Sequence, residues 1–218
     1  TKLATMKILR AELVTSASIA GPREGLVRDD VPQFAFVGRS NVGKSSLLNA
    51  LVRQKIARTS AAAGKTRQAN VFRVTADGGG HGPGSWSVYL VDLPGYGYAR
   101  GGKTSEGELA SVANAYFATL LDRRPSSAGP GPRPGAIFLL VDARHPDLAS
   151  DIEAYKALSG TVPLHIVATK VDKLSRSERA RNVAAFERTF GQTPLAVSTT
   201  NGEGLDEIWR LIARTARG

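Results

Sequence analysis

The stretch Gly38-Arg39-Ser40-Asn41-Val42-Gly43-Lys44-Ser45 constrains this chain more than any other. It has the spacing G-x-x-x-x-G-K-S. It follows the apolar run Phe34-Ala35-Phe36-Val37 and precedes the helix-like Ser46-Leu47-Leu48-Asn49-Ala50-Leu51. A strand, a glycine-rich loop and a helix in that order form a cradle for phosphate. Glycine lets the backbone wrap closely around phosphate oxygens, and the loop amides and helix N-terminus supply donors and a positive dipole end. Lys44 would reach the β- and γ-phosphates, and the Ser45 hydroxyl would ligate magnesium. The plainer alternative, a glycine-rich turn before a helix, does not explain why pattern and context agree.

The 218 residues suit one domain, with a core of about 30–215, and 42 % apolar composition can fill it. There is no cysteine, which excludes disulfides and thiolate metal sites and fits a cytoplasmic location. No apolar run approaches the roughly 20 residues that span a bilayer, so membrane insertion is not expected. The N-terminal segment lacks an apolar signal-peptide core, but the chain begins at Thr1, which leaves a removed leader open. Lys and Arg number 29 against 19 Asp and Glu, a net charge of +10. That excess suggests a polyanionic partner such as RNA, against the alternative of a solvated basic surface.

Apolar strand candidates alternate with helix candidates. The strands read Lys7–Ala11, Phe34–Val37, Asn70–Thr75, Ser87–Val91, Ala136–Val141, Leu164–Ala168 and Leu195–Val197; the helices read Lys44–Arg53, Glu106–Arg123, Leu148–Leu158, Ser175–Phe190 and Gly204–Ala216. Such alternation predicts an α/β fold of the P-loop NTPase type, three-layered, with a mostly parallel sheet and helices on both faces. Asn70–Thr75 and Ser87–Val91 have no helix between them and should form a hairpin, adding one antiparallel edge strand. Ala76–Ser85, with five glycines and one proline, reads as its flexible loop; Pro125–Gly135, with four prolines and three glycines, reads as an irregular linker.

Four downstream segments decide which triphosphate is bound. Asp92-Leu93-Pro94-Gly95 follows a strand: the carboxylate can hold magnesium through water, and the Gly95 amide can meet the γ-phosphate. Thr169-Lys170-Val171-Asp172 follows the strand Leu164–Ala168. Guanine presents two donors on one edge and adenine does not, so a carboxylate at Asp172 would read guanine. The Lys170 stem can cover the base. The usual guanine motif begins with Asn, and Thr169 keeps a hydroxyl but loses the amide's second arm. Ser198-Thr199-Thr200 follows the last strand, where its amides would approach guanine O6. Gly64-Lys65-Thr66 lies in a polar segment, where Thr66 would complete the magnesium shell and the segment would act as a switch. Each alone is also an ordinary turn or loop; their order makes them a GTPase signature.

With N-V-G-K-S, G-K-T, D-L-P-G-Y-G-Y-A, V-D-A-R-H-P and T-K-V-D-K-L, the chain resembles the EngB (YihA/YsxC) family of bacterial GTPases, within the TrmE–Era–EngA–YihA group. The likeness runs over roughly residues 30–215. Tyr96-Gly97-Tyr98 and Asp142-Ala143-Arg144-His145-Pro146 are its specific pieces, and Thr is common in that family at the position of Thr169. Ala63 stands where proline often precedes G-K-T, Arg67 stands where glutamine is common, and both Gly/Pro insertions are longer than typical.

The resemblance implies nucleotide contacts at Gly38, Arg39, Ser40, Asn41, Val42, Gly43, Lys44 and Ser45. It adds Gly64, Lys65, Thr66, Arg67 and Gln68 in the switch and Asp92, Leu93, Pro94 and Gly95 after the strand. For the base it implies Thr169, Lys170, Val171 and Asp172 with Val197, Ser198 and Thr199. Lys44, Thr66 and Gly95 would carry catalysis, Ser45 and Thr66 would hold magnesium, and GTP and GDP are the ligands. Asn41 occupies the position that ligates potassium in cation-dependent relatives; the alternative is that it only stabilises the loop. Tyr96 replaces the glutamine that orients water in Ras-like enzymes, so turnover should be slow.

The implied role is maturation of the large ribosomal subunit, with rRNA and ribosomal proteins as partners of a monomer, and with a link to cell division and septation. Candidate RNA-facing charges are Arg58, Lys65, Arg67, Arg100, Lys103, Arg176, Arg179, Arg181 and Arg188. A nucleotide-gated switch acting directly on the division machinery is the alternative. A P-loop ATPase or kinase conflicts with Thr169–Asp172 and with the absence of a substrate lid. Asp142, Arg144 and His145 have no role legible from sequence.

Overall fold

The computed structural model describes residues 6–18, 27, 29–57, 68–78, 84–96, 116, 133–160 and 162–217. Seven strands form one sheet: β1 Ile8–Ser18, β2 Pro32–Gly38, β3 Gln68–Asp77, β4 Ser85–Asp92, β5 Arg133–Asp142, β6 Leu164–Thr169 and β7 Leu195–Val197. Their order is β1-β3-β4-β2-β5-β6-β7. Pairing is parallel from β4 through β2, β5 and β6 to β7. β3 is antiparallel to both of its neighbours.

The sheet is therefore mostly parallel, with antiparallel pairing at one edge, as the alternation predicts. The hairpin of β3 and β4 is present, but β3 is not the outermost strand. β1 lies outside it and runs to Ser18, well past the expected Ala11. Leu9, Leu13 and Val14 on this edge strand are exposed. Its alternation is broken by register shifts at Ile8/Arg10 and Leu13/Thr15, which hides a long strand from a period-two reading.

β2 is buried along its whole length because helices cover both faces of the sheet. On one face, α1 (Lys44–Val52) and α4 (Leu205–Arg217) bring Leu47, Leu48, Ile208 and Ile212 onto Phe34, Phe36 and Phe138. Trp209 joins them and donates its indole N–H to the Leu51 carbonyl at 3.0 Å. On the other face, α2 (Ala149–Leu158) and α3 (Arg176–Phe190) bring Ala154, Leu158, Phe186 and Phe190 onto Val37, Leu139 and Val141. Ser175 caps α3 in a reciprocal pair with Glu178, so the helix begins one residue after the expected Ser175. Of the helix expected over Glu106–Arg123 only Tyr116 is described; it is helical and buried, and its hydroxyl donates to Gln33 Oε1 at 2.8 Å. The remainder of that helix, the switch residues Gly64, Lys65, Thr66 and Arg67, and positions 79–83 and 125–132 of the two Gly/Pro insertions lie outside the described residues.

Parallel strands all point their carboxyl ends the same way. β4 ends at Asp92, β2 at Gly38, β5 at Asp142, β6 at Thr169 and β7 at Val197. Four of these five are residues expected to serve one site, and they lie at the sheet's carboxyl edge where open α/β sheets bind ligands.

Candidate nucleotide site

Gly38 ends β2, and the loop returns into α1 over Arg39–Gly43. Gly43 precedes the helix with φ 110°, a left-handed value that costs a residue with a Cβ and is free to glycine. The turn closes through Val42 N–H to the Arg39 carbonyl at 3.2 Å. Lys44 opens the helix, and its ammonium forms an ion pair with Asp92 Oδ1, both groups being largely sheltered from solvent. The phosphate-loop lysine and the carboxylate of D-x-x-G thus stand together, from positions 48 residues apart.

The T-K-x-D segment leans on the same loop. Thr169 is buried; its hydroxyl lies 2.7 Å from the Val42 carbonyl and 3.1 Å from that of Val141. Lys170 Nζ donates to the Asn41 carbonyl at 2.9 Å and to Asp142 Oδ2 at 3.0 Å. Asn41 and Lys170 both adopt left-handed backbone, with φ 64° and 63°. The Thr169 hydroxyl and the Lys170 ammonium each hold one carbonyl of the phosphate loop.

Asp172 follows in a short 3₁₀ turn, Val171–Lys173. Its Oδ1 accepts from the Ser198 hydroxyl at 2.8 Å, and that bond comes first among the causes holding its carboxyl below the usual range. Ser198 is fully buried, and its oxygen also accepts from the Thr200 and Asn201 amides at 3.2 and 3.4 Å. The Ser198 amide donates to the Glu203 carbonyl at 3.1 Å. This corrects the expectation that this amide faces a base: it is spent inside its own turn, and the side chain of Ser198 positions Asp172 instead.

The sequence left Asp142, Arg144 and His145 without a role, and two of the three have one. Asp142 is buried. Arg144 grips it with Nε at 2.9 Å and Nη2 at 2.7 Å, its amide adds a third bond at 3.1 Å, and Lys170 supplies a fourth. Burial pushes the Asp142 carboxyl up, but the Arg144 and Lys170 bonds outweigh it and hold the group well below the ordinary carboxylate range. Asp142 is therefore the anchor of Lys170. The signal available in sequence was its place at the carboxyl end of a buried strand, the same place Asp92 holds.

Gly38, Arg39, Ser40, Asn41, Val42, Gly43, Lys44, Ser45, Asp92, Leu93, Pro94, Gly95, Thr169, Lys170, Val171, Asp172, Val197, Ser198 and Thr199 thus share one edge of the sheet. Gln68 begins β3, and Gly64 to Arg67 lie outside the described residues.

Comparison with known proteins agrees with this geometry. The family described as "50S ribosome-binding GTPase" matches residues 33–170. A "Probable GTP-binding protein EngB" of Lactobacillus gasseri is 39% identical over 178 residues, 81% of this chain and 79% of that one. Its counterpart in Exiguobacterium sibiricum is 37% identical over 215 residues, 96% of this chain and 99% of the other. The chain belongs to the EngB family of GTP-binding proteins. As an EngB-family GTPase it hydrolyses GTP. Among solved structures, a probable GTP-binding protein engB superposes with a TM-score of 0.55 at 19% identity, over 85% of this chain and 98% of that one. An S. thermophilus NFeoB mutant bound to GMPPNP superposes with a TM-score of 0.56 at 22% identity, over 85% of this chain and 62% of the other. Both share the fold.

A carboxyl held below its unfolded value of about 3.9 contributes stability that is complete above that pH and is lost as pH falls toward the folded value. Asp142→Asn should therefore be less stable than the native protein at pH 7. The gap between their urea midpoints should shrink as pH is lowered below about 4. A gap that stayed constant across the series would show that Asp142 is not held as a charge.

Proposed function

We propose that this EngB-family GTPase uses guanine-nucleotide binding and slow hydrolysis to drive maturation of the large ribosomal subunit, and that normal division and septation depend on that work. One observation carries the nucleotide part of the reading: Thr169 and Lys170 are bonded to the carbonyls of Val42 and Asn41. The segment that would read the base is thereby built onto the loop that would hold the phosphates. Asp172, oriented by Ser198, would accept the two donors of the guanine edge. Lys170, fixed by Asp142, would lay its stem against the ring. With the Ser198 amide engaged, the amide left to approach O6 is that of Thr199.

Ser45 in the first turn of α1 and Asp92 at the end of β4 are hard oxygen donors, the kind magnesium takes. Among the described residues no group of three or more His, Cys, Asp or Glu could hold a metal ion. The residues therefore suit an ion that shares its shell with phosphates and Thr66 rather than one caged by protein. Bound there, magnesium would neutralise charge on the transferring phosphoryl group. Lys44 would exchange Asp92 for phosphate oxygen, and the Gly95 amide would meet the γ-phosphate. Tyr96 supports slow turnover: its ring is buried and its hydroxyl is bonded to Asp151, so it does not take the water-orienting part of a glutamine.

The ribosomal part rests on what the matching family is described as binding and on the charge of +10. Arg176, Arg181 and Arg188 stand exposed on α3, whereas Arg179 is held in an ion pair with Glu203. Arg58, Lys65, Arg67, Arg100 and Lys103 lie outside the described residues. Co-sedimentation with large-subunit precursors should be stronger with a GTP analogue than with GDP, and should fall as salt is raised. Binding indifferent to both would count against the role. Recovery of division proteins without ribosomal components would favour a switch acting on the division machinery.

Asn41 carries a second expectation. Its exposed position on the phosphate loop suits a potassium ligand beside the phosphates, where the ion would supply the charge an arginine finger brings elsewhere. Hydrolysis should be faster in potassium than in sodium buffer, and Asn41→Ala should abolish the difference; equal rates in the native protein would remove the idea.

A further inference from the structure

The backbone pairing of β2 with β4 does not stop where the strands end. Leu93 N–H donates to the Phe36 carbonyl at 3.1 Å, Tyr96 N–H to that of Gly38 at 3.4 Å, and Ser40 N–H to that of Tyr96 at 2.9 Å. Arg39 and Tyr96 pair as a parallel bridge. The D-x-x-G segment therefore lies along the phosphate loop. A Cβ built on Gly95 would stand 3.0 Å from both the nitrogen and the hydroxyl oxygen of Ser40. The two loops are in direct contact, joined backbone to backbone through Ser40 and Tyr96.

Tyr96 pins that contact from below. It is 5 % exposed, and its hydroxyl donates to Asp151 Oδ1 at 2.9 Å. Asp151, in the first turn of α2, is 1 % exposed, and Arg39 Nε lies 3.3 Å from the same oxygen. Asp151 Oδ2 and Arg39 Nε have no hydrogen-bond partner among the described residues. One buried carboxylate thus grips both the phosphate loop and the segment docked on it. Of the two, Tyr96 makes the hydrogen bond and Arg39 an ion pair, so losing the hydroxyl would leave a buried carboxylate short of a donor.

We propose that Asp151, acting through Tyr96, is a specificity-determining residue for the nucleotide state: it latches the Asp92–Tyr96 segment against the phosphate loop in the arrangement that suits GDP. A γ-phosphate is received only when this segment lifts and the Ser40–Tyr96 pairing opens. GDP has no group that competes with the latch, so the latch lowers affinity for GTP alone. This rests on the reading in which Gly95 meets the γ-phosphate.

The test is titration of the full chain with GDP and with a non-hydrolysable GTP analogue, for native protein, Tyr96→Phe, Asp151→Ala and the double variant. Tyr96→Phe keeps the buried ring and removes only the hydroxyl, so it remains informative if Asp151→Ala folds poorly. Each variant should bind the analogue about tenfold more tightly relative to GDP, the scale of one hydrogen bond to a charged group, and GDP affinity should stay within about twofold. The double variant should gain no more than Asp151→Ala alone, since that change already removes the Tyr96 bond. An unchanged ratio, a parallel loss for both ligands, or additive effects would overturn the latch and leave the GTPase reading standing. A native chain that bound no guanine nucleotide would remove that reading, and the latch with it.

Discussion

One buried hydroxyl joins the two halves of this site. Thr169 reaches the Val42 carbonyl from 127 residues away, at the point where β6 ends and the phosphate loop turns toward α1. Neither loop is rigid by itself. Ordering the backbone of a glycine-rich turn and a strand terminus is entropically costly. Tied together, and tied again by Lys170 to Asn41, they form one wall whose position the sheet sets. β2, β5 and β6 are neighbours in register, and their ends are where Gly38, Asp142 and Thr169 fall.

Charge in this wall is arranged for exchange of partners. Lys44 with Asp92, and Lys170 with Asp142, are pairs in sheltered surroundings where an unpaired ion would be costly. The two pairs differ in what surrounds them. Asp142 has Arg144 as well as Lys170, so it would stay compensated if Lys170 leaned toward a base. Lys44 shares Asp92 directly, so phosphate and magnesium arriving together would give each a new partner. Asp151 is the third buried carboxylate of this edge. Burial is the largest influence on it and pushes its carboxyl up, opposed by the Tyr96 hydrogen bond and by Arg39. It therefore depends on the segment it holds.

The fold was largely legible because the buried parallel strands are continuous apolar runs and the helices carry clear starts. Gly43 before Lys44 and Ser175 before Arg176 mark two helix origins to within a residue. β1 is an edge strand with irregular register, and its apolar residues follow no simple alternation, so its full length is not legible from sequence. Among site residues, those that touch nucleotide in the proposed reading belong to compact motifs and were visible. Those that act on other side chains were not. Asp142, Arg144 and Asp151 contact partners brought to them by the sheet, and Ser198 turned out to orient Asp172 with its side chain while spending its amide internally. Spacing along a chain records local cradles; it does not record which carboxylate the sheet will place beside which lysine.

Asp172, held by Ser198, would read guanine on a surface continuous with the phosphate loop. The most direct measurement is titration of GDP, a GTP analogue and ATP against the native protein and Asp172→Ala. Both guanine nucleotides should bind, ATP should not bind comparably, and the variant should lose guanine binding with the fold retained. ATP binding as tight as GTP, or a variant that kept its guanine affinity, would contradict guanine reading by Asp172.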